Sequence, residues 1–211
     1  MEVEVKYAVP SPQVIESIWN DRAIINMSDP SSAEKVHLYA VYYDTQDGDL
    51  RKKHYTVRAR SEGPVAFATV KWGGSSSGAM HKREEINVPI DPDCIKQAPD
   101  TELFAGSDAY KDLKELTKDK PLLPVLIMDF TRSRMRLTYE GNIIELALDL
   151  GNIETASGST PICEMELEHY AGPDDYSVKK LGDRIAEKYS LRPEPRSKYS
   201  RGLELISPER L

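Results

Sequence analysis

The sequence is poor in the features that mark secreted, membrane-spanning and nucleic-acid-binding proteins. Its only two cysteines, Cys94 and Cys163, lie in unrelated contexts rather than at a metal-ligand or redox spacing, so reduced structural thiols are expected. Its longest apolar runs, such as residues 125–128, are far shorter than the roughly 20 residues that a membrane-spanning helix needs. The first residues lack the basic start and apolar run of a secretory signal, so a cytoplasmic protein with no membrane partner is expected.

The chain also lacks an excess of positive charge. Its 211 residues carry a formal net charge of −7, with 39% hydrophobic and 30% charged residues. This composition predicts a folded soluble protein, and the acidic balance argues against nucleic acid as a partner. A small anionic ligand stays compatible with it, because a site can be locally basic on an acidic protein. No shift in composition divides the chain, so we expect one domain over residues 1–211, of unspecified oligomeric state.

Alternation of apolar and polar residues predicts an α+β fold dominated by strands. The expected strands cover residues 2–9, 36–44, 55–61, 65–72, 81–90, 125–139, 142–150 and 161–170. The expected helices cover residues 11–20, 94–116 with breaks at Pro99 and Gly106, and 174–189. The glycine-rich residues 73–78 predict a flexible connector, and residues 194–211 predict an extended tail.

Charged residues recur at every second position of several expected strands. Since alternate side chains of a strand share one face, Glu2, Glu4 and Lys6 project together. The same spacing places three glutamates on one strand and three arginines on another: Glu164, Glu166 and Glu168, and Arg132, Arg134 and Arg136. One such face is commonly solvated, but repeated like charges repel each other and call for a compensating partner. If the apolar faces pack outward under helices, the charged faces line a polar interior, where carboxylates hold divalent cations and Arg and Lys bind phosphate.

These segments together resemble the CYTH superfamily, the triphosphate tunnel metalloenzymes, along nearly the whole chain. Residues 2–6, Glu-Val-Glu-Val-Lys, look like the Glu-x-Glu-x-Lys signature of that superfamily. Further similar segments follow in the same order: residues 42–45, 57–60, 69–71, 83–85, 129–134, 145–151, 163–168 and 197–202. The resemblance implies a closed eight-stranded antiparallel β-barrel, a tunnel, with helices packed outside.

The resemblance also implies the residues of the site. The implied metal ligands, for two ions of Mg²⁺ or Mn²⁺, are Glu2, Glu4, Asp149, Glu164 and Glu166. The implied triphosphate-binding residues are Lys6, Arg58, Arg60, Lys71, Arg132, Arg134 and Lys198. Lys6, Glu4 and Glu166 are the expected catalytic residues. The general base stays open between a metal-side carboxylate and Lys6 with a pKa lowered by neighbouring cations.

The function implied is metal-dependent hydrolysis of inorganic tripolyphosphate to pyrophosphate and phosphate. It is favoured because residues 144–151 and 161–168 look most like bacterial inorganic triphosphatases. The alternatives are a class IV adenylate cyclase, a thiamine or nucleoside triphosphatase, and a non-catalytic polyphosphate-binding module. A thiamine-specific enzyme would need an aromatic residue at the tunnel mouth; Trp19 is one candidate, with core packing as its other interpretation.

Overall fold

The structure is a computed structural model that describes residues 2–77, 80–118 and 120–206; for residues 2, 74–77 and 80–83 it describes the backbone alone. Strands make up most of the described chain: β1 (Glu2–Ala8), β2 (Glu34–Asp44), β3 (Thr56–Glu62), β4 (Val65–Ser77), β5 (Met80–Ile90), β6 (Leu123–Tyr139), β7 (Asn142–Thr155), β8 (Gly158–Ala171) and β9 (Arg192–Pro193). Each of the eight predicted strands overlaps one of β1 to β8, so the alternation of apolar and polar residues located them correctly.

The strands form one antiparallel sheet in the order β5-β4-β3-β2-β6-β7-β8-β1-β9. The prediction of a closed eight-stranded barrel is therefore wrong, because the sheet has nine strands. β1 pairs with β5 only through residues 2–5, and β9 takes the same edge of β1 at Tyr7 and Ala8, so β1 and β5 do not close the sheet continuously. β9 was missed because two residues are too short to show any alternation.

Six α-helices accompany the sheet in the described chain: α1 (Pro12–Trp19), α2 (Arg22–Ile25), α3 (Asp49–Lys52), α4 (Tyr110–Thr117), α5 (Tyr176–Tyr189) and α6 (Lys198–Leu203). Short 3₁₀ turns cover Pro30–Ser32, Pro92–Cys94 and Thr101–Phe104. Of the helix predicted over residues 94–116, only the part from Tyr110 onward is α-helical, as α4. The predicted extended tail contains α6, and the predicted connector at residues 73–77 is part of β4; residues 78 and 79 lie outside the described residues.

The outer face of β1, β7 and β8 is apolar and packs beneath α1 and α5. Val5 and Tyr7 are buried there, and α5 approaches β1 so closely that a Cβ on Gly182 would lie 2.7 Å from Val5 Cγ2. Trp19 packs partly buried against this outer core, as the core interpretation of that residue predicts. The outer layer of helices thus leaves the charged face of these strands pointing inward.

The inner face, which carries Glu4 and Lys6 on β1, is only partly charged. A second buried cluster on this side of the sheet is apolar and contains Leu38, Ala40, Tyr42, Leu126, Met128, Phe130, Ile153 and Ile162. Helix α6 lies against this apolar part, because a Cβ on Gly202 would be 2.5 Å from Leu126 Cδ2. Tyr199 of α6 stacks on Tyr42 with ring centroids 5.3 Å apart. The sheet therefore holds a cavity with charged walls and an apolar base, on which α6 rests.

Candidate active site

The inner face of the sheet surrounds a cavity of about 490 Å³. All seven cationic residues that the resemblance implies for triphosphate binding line it: Lys6, Arg58, Arg60, Lys71, Arg132, Arg134 and Lys198. They come from β1, β3, β4, β6 and α6, so the sheet brings together residues that are far apart in sequence. Six glutamates line the same cavity: Glu4, Glu62, Glu85, Glu145, Glu166 and Glu168.

One set of charges, the β8 group, surrounds the carboxylates of β8 and consists of Glu4, Lys6, Arg132, Asp149, Glu164, Glu166, Lys198 and Arg201. Arg132 binds Asp149 with two parallel hydrogen bonds, Nε to Oδ1 at 2.7 Å and Nη2 to Oδ2 at 2.6 Å, and Nη2 also contacts Glu166. Lys6 Nζ lies 3.3 Å from an oxygen of Glu4 and 3.3 Å from an oxygen of Glu166. Such paired, charge-assisted contacts fix both the position and the orientation of the side chains.

Helix α6 contributes two cations to the β8 group. Lys198 Nζ lies 2.7 Å from Asp149 Oδ2 and 2.8 Å from Glu166 Oε1, and it also contacts Glu164. Arg201 contacts the other oxygen of Glu164. Ser197 caps the helix by accepting a hydrogen bond from the Ser200 N–H at 3.0 Å, which places Lys198 at the first helical position.

The surrounding charges set the ionisation of the β8 group. Burial alone would lower the pKa of Lys6, but the carboxylates of Glu4 and Glu166 outweigh it and hold that pKa above its ordinary value. The pKa of Lys198 is raised in the same way, against burial, by Asp149, Glu164 and Glu166. Burial would raise the pKa of Glu166, yet Lys198, Lys6 and Arg132 hold it well below its ordinary range. These three groups are therefore charged at neutral pH.

A second set of charges, the β3–β5 group, lies on the neighbouring strands and consists of Arg58, Arg60, Glu62, Lys71 and Glu85. Glu85 contacts Lys71 and lies 3.4 Å from Arg58 Nη2, and Arg58 Nη1 donates to the Tyr42 hydroxyl at 2.9 Å. Burial would raise the pKa of Glu85, but Arg58 and Lys71 hold it below its ordinary value. Arg60 Nη2 lies 3.4 Å from Glu62. Among the described residues, Arg60 Nε is buried without a hydrogen-bond partner.

The arginines of β6 point to different surroundings along the strand. Arg132 is in the β8 group, whereas Arg134 contacts Glu34 and lies 2.6 Å from Glu62 and 3.8 Å from Glu145. Arg136 is exposed, lies outside the cavity lining and stacks over Tyr170 at 3.9 Å from the ring centroid. The three arginines at every second position of β6 thus lie in different surroundings, from a buried ion pair at Arg132 to the protein surface at Arg136.

The carboxylates implied as metal ligands divide into two layers. Glu4 and Glu166 line the cavity, whereas Asp149 and Glu164 are 0% and 1% exposed and lie behind it. Asp149, Glu164 and Glu166 each offer an oxygen within 4.8 Å of the others. A donor set made only of carboxylate oxygens fits a hard divalent cation such as Mg²⁺ or Mn²⁺. The side chain of Glu2 lies outside the described residues.

Comparison with known proteins settles the family. The CYTH domain profile matches residues 1–203. The chain belongs to the CYTH domain family. The segment Glu-Val-Glu-Val-Lys forms most of β1, and of its residues Glu4 and Lys6 line the cavity.

Relatives of this CYTH protein include an inorganic triphosphatase of Haemophilus influenzae, 28% identical over 171 residues, which are 81% of this chain and 46% of the relative. The chain thus spans about half the length of that curated relative. Among solved structures, a putative adenylyl cyclase from Hippeastrum, described as having a dominant triphosphatase activity, is 19% identical with a TM-score of 0.67, over 99% of this chain and 98% of that one. A putative adenylate cyclase from Bacillus halodurans is 20% identical with a TM-score of 0.60, over 95% and 96% of the two chains. These structures share the fold.

Several residues of the site could not be assigned from the sequence. Arg201 is inside the basic segment 197–202, but nothing in the sequence shows that it contacts a buried glutamate. Tyr42 and Tyr199 line the cavity although they are 157 positions apart, and only the fold brings them together. In the part of the chain that the structure describes, no helix has the length and apolar character needed to cross a membrane.

Proposed function

We propose that this protein hydrolyses inorganic tripolyphosphate to pyrophosphate and phosphate in a reaction that requires Mg²⁺ or Mn²⁺. The observation that carries the proposal is the convergence of seven Lys and Arg side chains on one cavity of about 490 Å³. A triphosphate is a compact polyanion, and Arg binds its oxygens in pairs whereas Lys acts as a point charge. Glutamates of the cavity walls, among them Glu85 and Glu166, pair with these cations and hold them in position for such a ligand.

In the proposed reaction the β3–β5 group and Arg134 bind the phosphate chain from one side, and Lys6, Arg132 and Lys198 bind it from the other. Charge on the transferring phosphoryl group is spread over its oxygens, so stabilisation comes mainly from position and charge. Arg60 has a buried Nε available to a phosphate oxygen, and Arg132 is held in orientation by its two bonds to Asp149. Arg132 is thus oriented before a substrate binds, and a shift of Arg60 that exposes its Nε would give that atom an acceptor.

The metal would be held by Glu4 and Glu166, which line the cavity, with Glu2 as a further proposed ligand on the same strand as Glu4. When bound, a divalent ion supplies charge neutralisation on the phosphate oxygens and lowers the pKa of a coordinated water molecule. Asp149 and Glu164 lie next to Glu166 and complete the proposed acidic set.

Of the two bases left open by the sequence, a carboxylate is favoured. Lys6 contacts two carboxylates that hold its pKa above its ordinary value, so it carries a proton at neutral pH. A protonated Lys6 binds a phosphate oxygen and cannot accept a proton from water. We therefore propose Lys6 as a substrate-binding residue and a metal-side carboxylate as the group that accepts the proton. Of the two cavity carboxylates, Glu4 is favoured, because Lys198, Lys6 and Arg132 hold the pKa of Glu166 well below its ordinary range.

Two relatives support a triphosphatase over other chemistries. The Haemophilus relative is named an inorganic triphosphatase, and the Hippeastrum protein is described as dominantly a triphosphatase despite its putative cyclase name. Adenylate cyclase activity and hydrolysis of thiamine or nucleoside triphosphates are the alternatives that experiment must separate.

The test is a comparison of substrates with the purified full chain. Phosphate, pyrophosphate and cyclic AMP release would be measured from tripolyphosphate, thiamine triphosphate and ATP, each with Mg²⁺, Mn²⁺ or chelator. We expect tripolyphosphate to be cleaved fastest, and chelator or Glu4→Gln to abolish cleavage. Glu16→Gln, at an exposed glutamate on α1, is the matched control and should retain wild-type rates. Cyclic AMP formation, faster cleavage of an organic triphosphate, or binding without turnover would each replace the proposal with the corresponding alternative.

A further inference from the structure

The ammonium group of Lys198 lies among three buried carboxylates. Its Nζ is 2.7 Å from Asp149 and 2.8 Å from Glu166, and it also contacts Glu164. The same three residues form the cluster whose oxygens lie within 4.8 Å of one another, which is a geometry that could hold a metal ion. A cation of this chain therefore already stands among the oxygens that a metal ion would need.

Every carboxylate oxygen of this cluster is in ion-pair contact with a cation, although Oε1 of Glu164 makes no hydrogen bond within the described residues. Arg132 reaches both oxygens of Asp149 and Oε2 of Glu166, and Arg201 reaches Oε2 of Glu164. Lys198 reaches the remaining oxygens, Oε1 of Glu164 and Oε1 of Glu166. The three negative charges thus face the positive charges of Arg132, Lys198 and Arg201, and Glu166 also contacts Lys6, which is shared with Glu4. At Asp149 and Glu164, whose side chains are 0% and 1% exposed, a divalent ion would leave the displaced donors unpaired away from water, which is costly. At Glu166, which lines the cavity, the displaced Lys6 and Arg132 also line the cavity and can turn to water.

The carboxylates that face the cavity are in a different situation. Glu4 has a side chain that is 17% exposed, and its Oε1 lies 3.3 Å from the ammonium of Lys6. Asp149 and Glu164 have side chains that are 0% and 1% exposed and do not line the cavity. An ion at Glu4 and Glu166 could also touch a phosphate chain in the cavity, whereas an ion at Asp149 and Glu164 would be shielded from it.

We propose that Lys198 takes the place of a second divalent ion, so that the chain binds one divalent ion, at Glu4 and Glu166, instead of two. Asp149 and Glu164 are then positioning residues that hold Arg132, Lys198 and Arg201, and not metal ligands. The inference rests on the proposed metal-dependent function and narrows it. It departs from the two ions and five ligands that the family resemblance implies.

The test is a count of bound Mn²⁺ per chain, from the loss of the free Mn²⁺ electron paramagnetic resonance signal, without any phosphate present. We expect one ion for the wild type, and at least a roughly tenfold weaker affinity in Glu4→Gln. We expect two ions for Lys198→Met, because that substitution removes the ammonium and leaves the three carboxylates facing two arginines and Lys6, which is shared with Glu4. Two ions bound by the wild type would overturn the proposal.

Matched variants separate the position of Lys198 from its charge. Lys71→Met removes the same charge from the same cavity without touching the cluster, and it should still bind one ion. Lys198→Met combined with Glu164→Gln removes one charge of each sign, which protects folding, and should return the count to one. A folded Lys198→Met chain that binds one ion would contradict the proposal, as would two ions bound by Lys71→Met.

The outcomes also distinguish this inference from the proposed function. Mn²⁺ binding is measured without turnover. If the protein cleaves no triphosphate but binds the expected numbers of ions, only the proposed function is refuted. If the wild-type protein cleaves tripolyphosphate and binds two ions, only the proposed role of Lys198 is refuted.

Discussion

The β8 group and the β3–β5 group, which share the cavity, differ in how completely their charged atoms are paired. In the β8 group, each oxygen of Asp149, Glu164 and Glu166 contacts an Arg or Lys side chain. In the β3–β5 group, three cations face two glutamates. Among the described residues each group has a buried guanidinium Nε without a hydrogen-bond partner, that of Arg201 in the β8 group and that of Arg60 in the β3–β5 group, but of these two arginines only Arg60 lines the cavity. A buried donor without an acceptor is costly, so an incoming anion has most to gain at the β3–β5 group.

This difference suggests a division of labour within one cavity. The β8 group is an interlocked set whose members keep one another in place, and disturbing it should affect stability as well as activity. In the proposed function the cations of the β3–β5 group receive the external anion, so disturbing this group should mainly affect substrate binding. Mutations in the two groups can therefore separate the two effects.

The largest effect is expected from Glu166→Gln, at the centre of the β8 group. Glu166 contacts Lys6, Arg132 and Lys198, and its loss as a charge leaves these buried cations without a shared partner. Breaking a buried ion pair on one side costs about 3–5 kcal/mol, so the free energy of unfolding should fall by about that amount. Urea denaturation measures this change, and tripolyphosphate hydrolysis should fall to background in the same variant.

Glu85→Gln is the matched change in the β3–β5 group. Glu85 contacts two cations, Arg58 and Lys71, whereas Glu166 contacts three, so its loss as a charge leaves fewer cations without that shared partner. We expect a decrease in stability well below that of Glu166→Gln. Equal losses of stability in the two variants would refute the division of labour.

The next effect concerns substrate binding by Arg60. Replacing it with alanine removes a charged donor from the cavity, and hydrogen bonds to charged groups are worth about 1.5–3 kcal/mol. That range corresponds to a loss of roughly 10- to 150-fold in kcat/KM for tripolyphosphate. Steady-state kinetics measures it, with KM expected to rise more than kcat falls.

Arg136→Ala is the control for this change, because Arg136 is exposed and stacks on Tyr170 outside the cavity. Its kcat/KM should stay within about twofold of the wild type, since surface substitutions rarely perturb a structure strongly. If Arg136→Ala lost as much as Arg60→Ala, the kinetic effect would reflect overall charge and not a contact in the cavity.

Alternation of residue types was enough to predict the strands of both groups. Glu164, Glu166, Arg132 and Arg134 are spaced by two within their strands, so the face that each pair shares follows from the sequence alone. The seven cationic residues proposed for the triphosphate all line the cavity. The sequence could not show that Arg132 is bound to Asp149 while Arg134 contacts Glu62, because those partners depend on strand register.

Helix α6 could not be predicted from the sequence. Its six residues are too few to be stable alone, so no local signal distinguishes it from the extended tail that was predicted. It forms because Tyr199 stacks on Tyr42 and Gly202 packs against Leu126, contacts that exist only in the folded protein. The same contacts place Lys198 and Arg201 in the β8 group. The proposed number of bound divalent ions therefore depends on a helix that could not be predicted from the sequence.

Gly202→Ala tests whether the position of α6 against the sheet matters for stability and activity. The added Cβ would lie 2.5 Å from Leu126 Cδ2 and 2.9 Å from Ile153 Cγ2, so either these two side chains or α6 itself must shift. Overpacking of this kind costs about 1–3 kcal/mol. Hydrolysis should fall with it, because Lys198 moves with the helix.

Glu204→Ala, at the exposed end of α6, is the control for the helix. It removes an exposed ion pair with Arg196 at 3.0 Å and should change stability by less than about 1 kcal/mol. Wild-type activity in Gly202→Ala would show that the position of α6 does not matter to the β8 group.

The smallest effect is expected outside the cavity, at Asp21, and it should change stability without changing catalysis. Asp21 caps α2 by accepting from the Ala23 N–H at 2.8 Å, and it also contacts Lys188 and the Tyr189 hydroxyl. Asp21→Ala should lower the free energy of unfolding by about 0.5–2 kcal/mol, the usual value for a lost N-cap. Urea denaturation at pH 7 measures the loss, and tripolyphosphate hydrolysis should keep its wild-type rate.

The pH dependence of this stabilisation tests whether the charge of Asp21 matters. Burial would raise the pKa of Asp21, but the hydrogen bonds from Lys188, Tyr189 and Ala23 hold it below its ordinary value. Because the folded-state pKa is depressed, the stabilisation is present above about pH 4 and is lost as the pH falls through the folded-state pKa. Denaturation curves of wild type and Asp21→Ala should therefore converge as the pH is lowered, while Asp21→Asn, which keeps the cap, should fall between them at pH 7. A difference that persists unchanged in acid would mean that the charge of Asp21 contributes nothing.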